Sequence, residues 1–250
     1  MADQAVAKSS SLNRPVGRDR GWRAQLIRKA RRSWYFARRW ILFLLRGRRL
    51  TGAEVAEFVY GEYFFPAIQV QSELTALGEI LAARRPERAL EIGTAQGGTL
   101  LFLTRLASPR ATIVSVDLPE GRFGGGYSSR RTWFYRCFAL RRQQLHLLRG
   151  DSHSGKMLDE VKALFRERTL DYLFIDGDHS YEGVRRDFEM YGPLVGKGGI
   201  VAFHDIVDGP AENVGGVPQF WREVKGRYRH TELIKDPSQG GYGIGVLYVD

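Results

Sequence analysis

Five acidic residues punctuate the chain at nearly even intervals: Glu91, Asp117, Asp151, Asp176 and Asp205. Successive members lie 26, 34, 25 and 29 residues apart, each close to one βα unit of roughly 30 residues. The last two stand in acid–histidine clusters, Asp176-Gly177-Asp178-His179 and His204-Asp205. An ionised carboxylate only accepts hydrogen bonds, so it suits a diol, an amide or a cation. A histidine of ordinary pKa, about 6.5, can take a proton at neutral pH, and with carboxylates it can also ligate a metal. Plainer readings exist for both clusters: Asp176, Asp178 and His179 could cap the next helix, and His204 with Asp205 could close a strand as a bonded pair. His146, inside an apolar run, reads as a packed core residue, and His230 as a surface one.

Each acid stands at or just past the end of a short apolar run, over residues 89–92, 112–116, 145–148, 170–175 and 200–203. Runs so short and apolar suit strands buried on both faces of a parallel sheet. Helical patterns lie between most of them, at 99–107, 156–168 and 181–191, which predicts an open α/β sheet. The ligand crevice of such a sheet lies outside the carboxyl ends of its strands, so the five acids are expected on one rim. Residues 231–234 and 243–249 predict an antiparallel pair at one sheet edge, joined through a glycine turn at 238–242 that need not touch a substrate. Upstream, 51–60 and 71–84 read as helices, the first with a capping box at Thr51 and Glu54.

The first strand runs into Gly93-Thr94-Ala95-Gln96-Gly97 and a helix whose N-terminus faces the turn. The dinucleotide fingerprint fails because Ala95 replaces its second glycine, and a P-loop is excluded because no G-K-[ST] follows. The pattern from Glu91 to Gly97 resembles motif I of class I S-adenosylmethionine-dependent methyltransferases. Asp117 falls where that family binds the ribose diol, and Gly150-Asp151-Ser152-His153 where it contacts adenine. The resemblance spans about residues 65–250. It implies a Rossmann-like, doubly wound, mostly parallel sheet. It also implies S-adenosylmethionine bound by Glu91, Gly93, Thr94, Ala95, Gly97, Thr99, Asp117, Asp151, Ser152 and Asp176.

The fourth and fifth strand ends resemble the metal-assisted O-methyltransferase branch, which includes the catechol, sugar and cephalosporin hydroxylase-like members. That likeness implies a divalent cation, Mg or Mn, on Asp176, His204 and Asp205, with His179 as general base. His204 departs from the acid or amide of that branch, and an imidazole suits Mn, Fe, Ni or Zn better than Mg. The implied reaction is O-methylation of a hydroxyl on a sugar, glycolipid or secondary metabolite. Three rivals stay open: a metal-dependent oxygenase using His179, His204 and a carboxylate, a metal-free methyltransferase, and a non-catalytic cofactor-binding scaffold. Between strands two and three, within residues 119–142, Arg130, Arg131, Arg136, Arg141 and Arg142 interleave with Trp133, Phe134 and Tyr135. They read either as a lid for an anionic or sugar-bearing acceptor or as an amphipathic surface helix.

The chain has 250 residues, a net charge of +10 and 43% hydrophobic residues, enough to build a core and to exclude wholesale disorder. The basicity is concentrated: residues 1–50 hold 14 Lys and Arg against Asp3 and Asp19. The remainder is nearly neutral, so the charge gives no case for a nucleic-acid partner. Residues 1–50 are expected to form a basic, partly disordered arm with an amphipathic helix over 22–46, ahead of the domain at 51–250. That helix could dock on its own domain or a second copy, lie on an anionic membrane, or belong to an organellar transit peptide. Its apolar run of six residues is far short of the roughly 20 that span a bilayer. Cys137 is the lone cysteine. It excludes a disulfide framework and fits a cytoplasmic or membrane-peripheral setting.

Overall fold

The five apolar runs are strands, and a computed structural model places them parallel in one sheet: β1 (Arg88–Ile92), β2 (Thr112–Asp117), β3 (Gln144–Arg149), β4 (Leu170–Ile175) and β5 (Val195–His204). The structure describes residues 25, 27–31, 34, 41, 50–61, 64–119 and 126–250. The tail adds β6 (Arg229–Leu233) and β7 (Ile244–Tyr248), antiparallel to their neighbours, and the strand order is β3-β2-β1-β4-β5-β7-β6. The sheet is therefore doubly wound and mostly parallel, with an antiparallel edge pair. Its order reverses between β1 and β4, the position where such folds open a ligand crevice.

Register explains how distant residues meet. Ile92 is level with Val116 on β2 and Ile175 on β4, and Ile175 is level with Phe203 on β5. Gly93, Asp117, Asp176 and His204 consequently leave four adjacent strands along one edge, with neighbouring strands about 4.8 Å apart. One sheet face carries Leu90, Ile92, Val114, Leu173, Ile175, Val201 and Phe203 into a core with Val161, Val184, Phe220 and Trp221. The alternate residues, Glu91 and Ser115 among them, point to the opposite face.

The α-helices of the described residues from 50 onward are α1 (Gly52–Tyr60), α2 (Gln71–Arg84), α3 (Gly98–Leu106), α4 (Ser129–Arg136), α5 (Gly155–Leu164), α6 (Tyr181–Tyr191), α7 (Ala211–Val214) and α8 (Val217–Val224). The capping box at Thr51 and Glu54 forms. Helix α5 stops earlier than its sequence pattern, because Arg166 and Glu167 turn left-handed at φ 54°. Strand β3 is half-exposed along its length rather than buried on both faces, because it lies at the sheet edge. His146 is accordingly half-buried instead of packed in the core, and burial lowers its pKa.

The chain divides into two compact units, Met1–Arg46 and Gly47–Asp250. In the first, Gln25, residues 27–31, Trp34 and Ile41 are helical. The rest of the expected arm and of the 22–46 helix lies outside the described residues. Among the described residues no helix is long and apolar enough to cross a membrane.

Helices α1 and α2 touch through glycine. A Cβ on Gly52 would lie 2.2 Å from the carbonyl carbon of Gly78. Gly52→Ala must force the helices apart. Overpacking of this kind is expected to lower Tm by roughly 3–10 °C in a thermal melt. An unchanged Tm would show that the contact can open freely.

Candidate active site

The turn after β1 is built from left-handed backbone: Gly93 and Gly97 at φ 87°, and Ala95 at φ 42°. Ala95 thus keeps the unusual conformation that a glycine would adopt more readily. Gly93 is required by contact as well, since a Cβ there would lie 1.9 Å from the Asp176 carbonyl oxygen. The amides of Ala95 and Tyr127 donate to Asp117 Oδ2 at 2.8 and 3.2 Å, which ties the turn to the end of β2.

Glu91 is not on the rim. Its side chain, 1% exposed, points under the turn, where Thr94 Oγ1 lies 2.7 Å from Glu91 Oε2 and also 2.7 Å from Ser115 Oγ, and Thr99 bonds the same carboxyl. Burial pushes the Glu91 pKa up to about 8, against the opposing pull of Thr99 and Thr94. The carboxyl is therefore mostly protonated at neutral pH.

Two cavities flank the turn and share Gly93, Ala95 and Asp176. The smaller, about 240 Å³, is lined by Asp117, Gly126, Asp151, Ser152 and His153 together with the Gly177-Asp178 turn. Its floor is propped from α6. Tyr191 Oη donates to the Ser152 carbonyl at 2.7 Å, and Arg186 donates to the His153 carbonyl at 2.9 Å. His153 Nε2 lies 3.2 Å from Oδ1 of the fully buried Asp187, and the bond to Asp187 raises the His153 pKa.

The larger cavity, about 360 Å³, collects Asp176, His179, His204 and Asp205, with walls from 66–69, 212–214 and 240–242. His179 Nδ1 lies 2.5 Å from the Asn213 carbonyl and 3.3 Å from Asp205 Oδ2, and its Nε2 lies 3.5 Å from Asp176 Oδ1. Every one of these neighbours is an acceptor, so each ring nitrogen of His179 needs a proton or a cation toward it. His204 turns Nδ1 to Asp176 Oδ1 at 3.1 Å and to Asp205 Oδ2 at 3.3 Å. Its buried Nε2 has no hydrogen-bond partner. Burial would lower both histidine pKa values, but Asp176 and Asp205 outweigh it: His179 rises to about 9 and His204 well above its ordinary value. Burial would raise Asp176, but the two imidazoles hold it below the usual carboxylate range.

The ligand atoms that converge, all within 4.8 Å of one another, come from Asp176, His179 and Asp205. This differs from the expected set of Asp176, His204 and Asp205 with His179 as base. His179 joins the converging donors, while His204 lies against the two carboxylates with its far nitrogen turned into protein. Two carboxylates and an imidazole fit a divalent cation, with manganese, iron or zinc better matched than magnesium.

Several site residues had no sequence signal. Gln69 Nε2 donates to Asp176 Oδ2 at 3.0 Å, and Asn213 contributes only its carbonyl. Gly240, Gly241 and Tyr242 line the larger cavity, although their turn read as one that need not touch substrate. Asp187 could have been found: it interrupts the apolar stripe of Val184, Phe188 and Tyr191 on α6. The arginines at 130, 131 and 136 are exposed on α4, and none lines either cavity. Tyr135 is the buried residue of that helix, and its ring closes over Gly97.

Glu91 makes stability depend on pH. Between about pH 4.5 and 8 the folded chain holds a proton there that the unfolded chain releases, so this group's contribution falls as pH rises. Glu91→Gln removes that slope. Its Tm relative to the parent is expected to climb between pH 5.5 and 8.5, and a pH-independent difference would refute the assignment.

Known proteins resemble this chain in sequence and fold. Residues 90–206 match the family model described as a methyltransferase domain. The uncharacterized protein y4gI of Sinorhizobium fredii is 29% identical over 173 residues, covering 68% of this chain. The uncharacterized protein R132 of Acanthamoeba polyphaga mimivirus is 51% identical over 39 residues, or 16% of this chain. In each case the match covers 18% of the relative's length. The fold resembles an O-methyltransferase from Bacillus cereus in complex with SAH, with TM-score 0.52 and 20% identity over 80% of this chain and 91% of that one. It also resembles the O-methyltransferase TomG from Streptomyces achromogenes, involved in tomaymycin synthesis and in complex with SAM, with TM-score 0.51 and 22% identity over 84% and 95% of the two chains. Residues 90–206 thus match a methyltransferase domain, and the fold is one that O-methyltransferases share.

Proposed function

We propose that the chain transfers a methyl group from S-adenosylmethionine to a hydroxyl of a small molecule, such as a sugar, a glycolipid headgroup or a secondary metabolite. The observation that carries this reading is the pair of cavities meeting at Gly93, Ala95 and Asp176. One has a diol-binding carboxylate and the Asp151-Ser152 loop. The other has a cluster suited to activating a hydroxyl. The methyltransferase-domain match favours this over oxygen chemistry or a non-catalytic scaffold.

S-adenosylmethionine supplies an electrophilic methyl carbon on a sulfonium. In the transfer an O–C bond forms as the C–S bond breaks, S-adenosylhomocysteine leaves, and the acceptor hydroxyl's proton passes to the acid–histidine cluster, to His179 where its imidazole is neutral, and from there to solvent. On this reading Asp117 accepts from the ribose hydroxyls while its Oδ2 stays anchored by the turn. Asp151 and Ser152 lie beside the base. Gly93, Thr94, Ala95, Gly97 and Thr99 bring the backbone close to the donor, and Glu91 supports that turn from beneath. Two adjoining cavities hold donor and acceptor in one geometry, which turns an encounter into an intramolecular event.

Asp176, His179 and Asp205 are the residues that would hold a divalent cation, which lowers the pKa of a bound hydroxyl. Gln69 and Asn213 fix the orientation of Asp176 and His179. The reading also places the enzyme in the cytoplasm, with residues 22–46 able to rest on an anionic membrane or to pair two copies. Equal membrane flotation of the full chain and a 1–50 deletion would remove the membrane contact.

Titration calorimetry with S-adenosylhomocysteine tests the donor site. Asp117→Asn keeps an acceptor for the Ala95 and Tyr127 amides but loses the charge. It is expected to bind about 10-fold more weakly than the parent, the scale of a charged hydrogen bond. No binding to the folded parent would sink the reading. With an acceptor found by screening, EDTA is expected to cut turnover at least about 10-fold and Mn²⁺ to restore it. Turnover insensitive to EDTA would leave a metal-free methyltransferase.

A further inference from the structure

We propose that the acceptor is an uncharged or cationic molecule with an apolar ring face, received by Tyr242, and that anionic acceptors are rejected. This rests on the methyl-transfer reading and narrows its substrate class.

The charge of the larger cavity carries the first half. Among the described residues no lysine or arginine lines it. Three carboxylates line it, those of Asp176, Asp205 and the exposed Glu212 on α7, against two imidazoles, His179 and His204. An anionic group on the acceptor would enter where carboxylates outnumber imidazoles, with no lysine or arginine to meet it. The arginines of α4, which the sequence offered for an anion, stand elsewhere.

The backbone of the tail loop carries the second half. Tyr242 sits at φ 61° between Gly240 and Gly241 (74° and 127°) and Gly243 (82°). Left-handed backbone is unfavourable for a bulky L residue, and glycine would fit without strain. The ring is 40% exposed, so core packing does not demand it. It lines the cavity with its centroid 6.1 Å from that of the His204 ring.

The loop is clamped on both sides. The Tyr242 amide donates to Asp205 Oδ1 at 3.1 Å, and its carbonyl accepts from Val207 at 3.0 Å. Glu73, 2% exposed, accepts from the amides of Lys235 and Gly243 and from Gln239 Nε2 at 2.7–3.1 Å. Strain held this firmly at a cavity wall points to function. Here it presents an aromatic face beside the hydroxyl-activating cluster, a surface on which the C–H face of a ring can stack. Ile68, 56% exposed, adds apolar surface to the same cavity.

The test uses the full chain saturated with S-adenosylhomocysteine and three probes: phenyl β-glucoside, phenyl β-glucosaminide and phenyl β-glucuronide, which are neutral, cationic and anionic. Affinities are read by NMR titration. The first two are expected to bind at least about 10-fold more tightly than the glucuronide. Tyr242→Gly relieves the backbone, so Tm is expected to fall by no more than about 2 °C. The same variant should weaken the glucoside about five-fold or more and leave S-adenosylhomocysteine affinity unchanged. Glu212→Gln should bring the glucosaminide down to the glucoside's affinity. Glucuronide binding as tight as the glucoside, unchanged affinity in Tyr242→Gly, or no binding of any probe would overturn the proposal while the donor site stands. Absence of S-adenosylhomocysteine binding in the parent would overturn the methyl-transfer reading itself.

Discussion

Two carboxylates in a half-closed cavity need positive charge between them, and the larger cavity is organised around that need. Asp176 and Asp205 converge on His179 and His204 at 3.1–3.5 Å. Either two imidazolium rings or a bound dication satisfies the pair. The same donors form a hydrogen-bonded quartet and would also hold a dication. The neighbouring contacts follow from the quartet's geometry. Gln69 occupies the second oxygen of Asp176, the Asn213 carbonyl orients His179, and the Tyr242 amide occupies the second oxygen of Asp205.

The smaller cavity depends on a different constraint, the closeness of β1 and β4 where the strand order reverses. The backbone at Gly93 passes against the Asp176 carbonyl with no room for a side chain. That contact makes one residue, Asp176, a wall of both cavities. It also accounts for Glu91. The pleat turns its carboxyl away from the cavities into a buried hydroxyl network, where it is more stable protonated than charged.

Much of the architecture could be read from periodicity. Short apolar runs at intervals of about 30 residues, each ended by an acid, suffice for a parallel sheet with one functional edge, because strand, crossover helix and strand obey local rules. The two errors of burial have a common origin. A run such as residues 145–148 looks the same at a sheet edge as at its centre, and only the strand order shows β3 to be outermost. The placements of Glu91 and His179 differ from the sequence expectation for a related reason: sequence places a residue at a strand end, but the pleat and the next loop decide where its side chain points.

By itself, the sequence determined which chemistry could be present: acids at five strand ends, histidines near three of them, and a glycine turn shaped for close approach. These are local facts, set by residue type and spacing. Tertiary structure alone decided which of them face one another. The converging set includes His179 because the 212–214 segment supplies a carbonyl that turns its ring, and the cavity wall includes Tyr242 because Glu73, 170 residues from Gly243, anchors the tail loop. Contacts across such separations leave no periodic trace in the chain, so they become visible only when the strands are in register and the loops have closed.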